Sequence, residues 1–497
     1  MTLSATRLPE APAAAADQPE LAPLNRAFAR QKTAFGQQPE GLPVAERLAL
    51  LQSMEQLLMR HRVALADAMS QDFSGRPRAE SLLELFVSID DLRHAQKRVR
   101  RWAKPRRAAA NWQFWPSRGQ LRPQALGVVG VLGAFNYPVM TALSPAIGAL
   151  AAGNRVIIKP SDQMPATTAL LKSLFEQTFS PEVLAIVDGD LSVSQAFGEL
   201  HWDHLVFTGS TRVGRLVATA AAKNLVPVTL ELGGKCPAII GQGVDLKFVA
   251  DTIVQVKMMN AGQTCVTADY VLLPAQQAEE FMQLAKAALA RNYPALVANP
   301  DWARLGHARE WARLQQGVEE AQAAGAEVYT HNPAKEVLPE GGRVYPPTLV
   351  LDPPPSGSLC QEEIFGPVLP VRTYANLSEA IALVNRGERP LAMHVFSKNK
   401  AEVDAILRQT VSGGVTVNGC GNHAIQHNLP FGGVGASGIG AYRGKAGFDR
   451  FSHLKPVLYM SPFTKALALL APPYGKMAER ILGFMLHNRP VKEPLPK

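Results

Sequence analysis

HLVFTGSTRVGRLVATAAAKNLVPVTLELGG, residues 204–234, decides how this chain folds. An apolar run of strand length meets a turn of small residues, Gly209, Ser210 and Thr211. A helix then begins near Arg212 and Val213 with Gly214 in its first turn. A second apolar run, 227–232, closes on Gly233 and Gly234. Strand, helix and strand in that order place the two strands parallel, because a two-residue hairpin cannot reverse the chain across a helix.

The same alternation continues in both directions. Upstream lie GVVGVLGAF (127–135), NRVIIKP (154–160) and VLAIVDG (183–189); downstream lie PAII (237–240), VLPVRTY (368–374), LAMHVFS (391–397) and GGVTVNG (413–419). Short Val/Ile/Leu runs between helical stretches are the pattern of sheets covered on both faces. The expectation is an α/β protein of two lobes in series, with a helix carried through AGQTC (261–265) in the second. Residues 21–103 read as helical, since PVAERLALLQSMEQLLMRHRVALADAMSQDF (43–73) and RAESLLELFVSIDDLRHAQKRVRRWA (78–103) repeat apolar residues every three or four positions. Pro105, Pro116 and Pro123 then interrupt the chain. No repeat of 20 to 50 residues and no heptad run occurs, which excludes solenoids and coiled coils.

Composition agrees with a multi-domain globule. The chain has 497 residues, 47% hydrophobic and 19% charged, enough apolar surface to offset the entropy of ordering. Its net charge of +9 raises the question of a polyanionic partner. Eight basic and no acidic side chains lie between Leu92 and Arg107, so the remainder is close to neutral. Arg93, Lys97, Arg100 or Arg101, and Lys104 recur at helical spacing with only Trp102 interleaved, which reads as a solvated helix face and not as a nucleic-acid surface. Four cysteines, at 236, 265, 360 and 420, form no C-x-x-C pair and suit a reducing, cytoplasmic compartment. Residues 1–20 are Ala/Pro-biased and read as a disordered leader without a secretion signal. The apolar run 466–471 is too short to cross a membrane and reads as a packing tail.

Several residues could carry chemistry. Cys265 follows Asn260, Gly262, Gln263 and Thr264 in a small-residue turn, where a sulfur could face a cavity. Glu231 ends a strand just before a Gly-Gly turn, at the sheet edge where α/β proteins bind ligands. Gly209, Ser210 and Gly214 surround a helix N-terminus suited to an anion, although neither G-x-G-x-x-G nor G-x-x-x-x-G-K-[ST] occurs. Lys159 and Asp162 follow another strand and could hold sugar hydroxyls. His423 and His427 have metal-like spacing but no third ligand, so no metal is expected.

Taken together, NYP (136–138), IIKPSD (157–162), FTGSTRVG (207–214), LELGGK (230–235), NAGQTC (260–265), EEIFGPV (362–368) and PFGGVGASGIG (430–440) occur in this order, and the chain closely resembles the NAD(P)-dependent aldehyde dehydrogenase superfamily. The likeness runs from about Leu24 to Lys455. CVTADYVL, GVGASGIGAYRGKAGFDRFSH and LLAPPYG are similar to the class 3 branch, and within it to bacterial coniferyl aldehyde dehydrogenases.

The resemblance implies a Rossmann-like cofactor-binding lobe (residues 21–232, with 106–124 lent to a small β bridging element), a catalytic lobe (233–422) and a bridging and C-terminal segment (423–497). It implies Cys265 as nucleophile, Glu231 as general base and Asn136 as an oxyanion donor. It further implies Lys159 and Asp162 at the adenosine ribose, Ser210 at a phosphate, and Glu363 with Phe365 at the nicotinamide ribose. The expected reaction turns an aldehyde, plausibly of the aromatic or cinnamyl class such as coniferyl aldehyde, into its acid through a thiohemiacetal and a thioester, in a homodimer. Asp162 stands where NAD-preferring relatives carry Glu, so NAD is expected as cofactor with NADP tolerated. Phe135 replaces a frequent Trp, and VNGCGNHAIQHN (417–428) departs from the branch at the aldehyde entrance. A CoA-acylating enzyme and a catalytically silent relative are the alternatives, and intact Cys265, Glu231 and Asn136 count against the second.

Overall fold

A computed structural model describes residues 19–338, 341–464 and 471–487. Residues 1–18 of the expected leader, and the apolar run 466–471 except Ala471, lie outside them. The chain divides into two compact units, one running to Trp102 and from Ala125 to Ser452, the other formed by Ala103–Gln124 with residues from His453 onward.

The strands in chain order are β1 (Arg106–Ala108), β2 (Arg118–Ala125), β3 (Val128–Leu132), β4 (Arg155–Lys159), β5 (Leu184–Ile186), β6 (His204–Gly209), β7 (Val228–Leu232), β8 (Pro237–Ile240), β9 (Tyr270–Pro274), β10 (Glu327–Thr330), β11 (Thr348–Leu351), β12 (Val368–Tyr374), β13 (Ala392–Phe396), β14 (Gly414–Val417), β15 (Gly438–Ile439) and β16 (Ser452–Tyr459). The first eight helices are α1 (Ala22–Gln37), α2 (Val44–Phe73), α3 (Arg78–Trp102), α4 (Pro138–Ala152), α5 (Pro165–Thr178), α6 (Leu191–Glu199), α7 (Thr211–Lys223) and α8 (Leu246–Met258).

The first unit holds two sheets. One has six strands in the order β15-β7-β6-β3-β4-β5, parallel except for β15. The other has seven, β10-β11-β12-β9-β8-β13-β14, parallel except for β10. Strands β3, β4, β8 and β13 are buried along their whole length, as a sheet covered on both faces requires. Val128, Ile157, Phe197, Trp202, Leu205 and Leu230 pack the first core; Ile240, Ile253, Phe281, Leu289, Trp302 and Val371 pack the second. The expected α/β class is therefore present. The stretch 423–452 lies in this first unit.

Helix α7 starts at Thr211, one residue before the reading from sequence, because Ser210 Oγ accepts the Val213 N–H at 3.4 Å and so serves as N-cap. On α3, Arg93, Lys97, Arg100 and Arg101 are exposed, matching the expected solvated basic face. The second unit contains β1 and most of β2 and β16, which form a three-stranded sheet. No helix of the described residues is long and apolar enough to cross a membrane.

Candidate active site

The loop that carries Cys265 begins where α8 stops. The expected helix through AGQTC does not form: Asn260 and Ala261 both sit at φ 51°, and Gly262 at 75°. A left-handed turn in two consecutive non-glycine residues costs of order 1 kcal/mol or more apiece and persists only when tertiary bonds fix it. Here Asn260 N–H donates to Glu80 Oε2 (2.9 Å) and Asn260 Nδ2 to the Asn136 carbonyl (2.8 Å). Gln263 spans the loop, donating through Nε2 to the Asn260 carbonyl (2.9 Å) and accepting the Gly306 N–H at Oε1 (2.7 Å). Gly262 cannot be replaced without displacement, since a Cβ there would stand 2.2 Å from the Gly366 carbonyl oxygen.

Cys265 emerges from this loop with its thiol directed at Glu231, Sγ to Oε1 3.2 Å. Glu231 lies on β7 in register with Thr208 of β6 and Gly438 of β15, so strands flank it on both sides. It is 2% exposed. Burial lifts its carboxyl to about 7, with the Cys265 thiol and the Arg443 cation pulling the other way. Burial pushes the Cys265 thiol well up, and the Glu231 charge pushes it further. The proton shared by the pair thus rests on sulfur, with a carboxylate placed to receive it.

Asn136 is buried between β3 and α4. One N–H of its amide donates to the Gln263 carbonyl at 3.0 Å, two residues before Cys265, which fixes the plane in which the other N–H lies. Its neighbour Tyr137 joins the same loop through its hydroxyl and Thr264 Oγ1, 2.8 Å apart. Phe135 contacts Phe365 edge-on, ring centroids 5.9 Å apart, and Phe73 at 6.5 Å. Phe135 and Phe365 are both partly exposed.

The remaining predicted residues stand around the ends of the six-stranded sheet. Lys159 closes β4 and is nearly fully buried, yet its ammonium makes one bond, to the Pro160 carbonyl at 3.3 Å. Desolvation lowers its pKa, with Asp162, Asp190 and Asp188 acting against it. Asp162 is exposed, as is Ser210. Gly209 and Gly214 leave no space beside Phe207 and Leu232, where a Cβ would approach to 2.5 and 2.6 Å. Glu363 turns its carboxyl onto Gly233, so closely that a Cβ at Gly233 would meet Oε2 at 2.0 Å. Burial, then Asp269, lifts Glu363 to about 8, while the Gly234 N–H, Lys235 and Lys257 oppose the rise.

This donor set fits a nicotinamide dinucleotide. A buried ammonium with N–H groups to spare suits ribose hydroxyls, and a helix N-terminus closed by glycines suits a pyrophosphate. His423 and His427 do not converge: His423 Nδ1 meets Thr416 Oγ1 at 2.8 Å, whereas His427 lies between Asp90 (2.7 Å) and Asp91 (3.0 Å). Among the described residues no group of three or more His, Cys, Asp or Glu is arranged to hold a metal ion.

Three residues at the site, Glu80, Tyr137 and Arg443, escaped the reading from sequence as functional candidates. Tyr137 lies inside the NYP motif. Glu80 had a legible trace: Glu80, Glu84 and Asp91 interrupt an apolar helical pattern at intervals that share one face. Arg443 carried no signal within GAYRGK.

The family model "Aldehyde dehydrogenase family" matches residues 10–457. A probable coniferyl aldehyde dehydrogenase of Caulobacter vibrioides is 44% identical over 467 residues, covering 93% of this chain and 96% of the relative. A coniferyl aldehyde dehydrogenase of a Pseudomonas species is 41% identical over 466 residues, with coverages of 93% and 96%. Among solved structures, the substrate-bound state of Staphylococcus aureus AldH superposes with a TM-score of 0.87 at 30% identity, covering 93% of this chain and 99% of that one.

Proposed function

The chain belongs to the aldehyde dehydrogenase family, whose members oxidise aldehydes with NAD or NADP, and we propose that it does so through Cys265, Glu231 and Asn136. The observation that carries this assignment is the pairing of the half-buried Cys265 thiol with the buried Glu231 carboxyl, Sγ to Oε1 3.2 Å, at the end of a loop bonded to the Asn136 amide.

The steps follow from those positions. Glu231 Oε1 takes the Cys265 proton as sulfur adds to the aldehyde carbon. The oxygen of the thiohemiacetal is then met by the free N–H of Asn136 and the Cys265 backbone N–H. A nicotinamide dinucleotide held by Lys159, Ser210 and Glu363 would supply the hydride acceptor, and loss of hydride from the thiohemiacetal carbon gives a thioester on Cys265. Glu231, having passed its proton to solvent, deprotonates the water that attacks this thioester, and the carboxylic acid departs. A carboxyl lifted to about 7 suits both duties, since it is available in either form near neutrality.

The six-stranded sheet supplies most of the cofactor side, Lys159 and Asp162 for the adenosine ribose and Gly209, Ser210 and Gly214 for the pyrophosphate, while Glu363 and Phe365, just before β12 of the seven-stranded sheet, serve the nicotinamide ribose. The exposed Asp162 carboxylate disfavours a 2′-phosphate by charge but is short enough to leave room, which supports NAD as the preferred cofactor with NADP tolerated. For the substrate, the named relatives and the Phe135–Phe365 wall support an aromatic or cinnamyl aldehyde such as coniferyl aldehyde. A homodimer is supported by exposed apolar groups on the second unit, including Trp112, Trp115 and Phe463. Four free cysteines accord with a cytoplasmic setting.

Assaying aliphatic, benzyl and cinnamyl aldehydes by NADH formation, with and without CoA, tests the reading. Highest kcat/KM for cinnamyl aldehydes with free acid as product supports it; CoA-dependent thioester release would replace hydrolysis by acyl transfer.

A further inference from the structure

Helix α3 meets the site at two carboxylates one helical turn apart. Glu80 and Glu84 share a face of the helix at i, i+4 spacing. Glu80 Oε2 accepts the Asn260 N–H at 2.9 Å, inside the left-handed turn of the nucleophile loop. Glu84 Oε1 accepts the N–H groups of Val139 (2.8 Å) and Met140 (3.0 Å), in the first turn of α4, just beyond Asn136. Helix α4 has no side-chain cap of its own, Tyr137 standing at its N-cap position, so Glu84 supplies from α3 the acceptor that its orphan amides need.

The two anchors differ in their own support. Glu84 Oε2 is paired with Arg76 Nη1 at 2.6 Å, both side chains fully buried. The Arg76 guanidinium also lies 5.0 Å from the centre of the Tyr137 ring, whose hydroxyl meets Thr264 Oγ1. Glu80 is partly buried and spends its described bond on Asn260 alone. One rigid helix thus grips both the loop that carries Cys265 and the helix start that carries Asn136.

We propose that Glu80 is a positioning residue of the aldehyde oxidation: it holds Asn260 and Ala261 in their left-handed turn from outside the loop, and with Glu84 keeps Cys265 in register with the Asn136 amide. The proposal rests on Cys265 being the nucleophile. Without the Glu80 acceptor the loop relaxes toward right-handed backbone, which swings Cys265 away from Glu231 and Asn136. A misplacement of about 1 Å at reacting atoms commonly costs up to ~100-fold in rate.

The test compares wild type, Glu80→Ala, Glu80→Gln, the double variant Glu80→Ala/Ala261→Gly, and Cys265→Ala as control. Readouts are kcat, KM and the rate at which iodoacetamide alkylates Cys265, identified by peptide mass. Glu80→Ala should lower kcat about ten- to a hundredfold with KM changed less than about threefold, and should alter the alkylation rate. Glu80→Gln retains an oxygen acceptor and should stay within about threefold of wild type. Ala261→Gly removes the penalty on φ > 0 and should restore several-fold of the kcat lost in Glu80→Ala.

Full kcat in Glu80→Ala, loss equal in the Gln and Ala variants, or no recovery with Ala261→Gly would each overturn the proposal. If Glu80→Ala yields no folded protein, Glu80→Asp, which withdraws the acceptor by one methylene, takes its place with the same expected order. Activity surviving in Cys265→Ala would instead remove the reading beneath it.

Discussion

Cys265, Glu231 and Asn136 on one side of the site, and Lys159, Asp162 and Ser210 on the other, are held in opposite ways. Glu231 and Asn136 are buried and Cys265 is half-buried, the three are tied to one another through Gln263 and Asn260, and burial shifts the thiol and the carboxyl alike. On the other side Asp162 and Ser210 face solvent, and Lys159 alone is buried. Electrostatic interactions are strong where water is excluded and weak where it is not. Substitutions on the enclosed side should therefore move rates by orders of magnitude and respond to pH, whereas those on the open side should shift cofactor preference modestly.

The largest effect should come from Cys265→Ala, which leaves no atom to form the thioester and should lower aldehyde-dependent NAD(P)H formation by at least about a thousandfold. Glu231→Gln follows, with a loss of about 100- to 10,000-fold in steady-state kcat. Wild-type kcat, where hydrolysis limits it, should rise with pH through about 7 as Glu231 ionises, and this limb should vanish in the variant. Stability moves oppositely. The Glu231 carboxyl is lifted in the folded protein, so its favourable burial is complete below about 4.5 and is lost as pH rises through about 7. At pH 8 the variant should unfold at a higher temperature than wild type, by an energy of order 3 kcal/mol, and the gap should close toward pH 4.5.

Asn136→Ala should cost about 100- to 1,000-fold in kcat with little change in KM, as expected for a donor engaged most strongly at the developing oxyanion. A loss confined to KM would make Asn136 a binding group and weaken the contrast between the two sides. The smallest effect belongs to Asp162→Ser. Removing an exposed charge should raise the NADP/NAD ratio of kcat/KM by less than about tenfold. A change of a thousandfold there would mean that the open side is as tightly built as the enclosed one.

How far these features were legible in the chain follows from the same contrast. The parallel sheets are readable because fully buried strands leave unbroken apolar runs, as in β3 and β8. The site residues were readable as ordered motifs, and Glu231 as a carboxylate at a strand end. Its burial was not, because enclosure by β6 and β15 involves partners 23 positions before and 207 after it. The turn at Asn260 and Ala261 was read as helix for a related reason. Local propensity there is overridden by bonds to Glu80 and Asn136, which lie 180 and 124 positions away.

The most direct test of the enclosed pair is to trap the covalent intermediate. Glu231→Gln lacks both the base for hydrolysis and the acceptor of the Cys265 proton, but the loss of its negative charge removes one cause that holds the thiol protonated, so at pH 9 the thiol gives its proton to solvent and is acylated slowly while deacylation stalls. Glu231→Gln mixed with NAD and cinnamaldehyde, quenched in acid and digested, should show the peptide containing Cys265 heavier by one cinnamoyl group, with a burst of NADH of about one equivalent. No adduct, or an adduct at Cys236, Cys360 or Cys420 in place of Cys265, would contradict it.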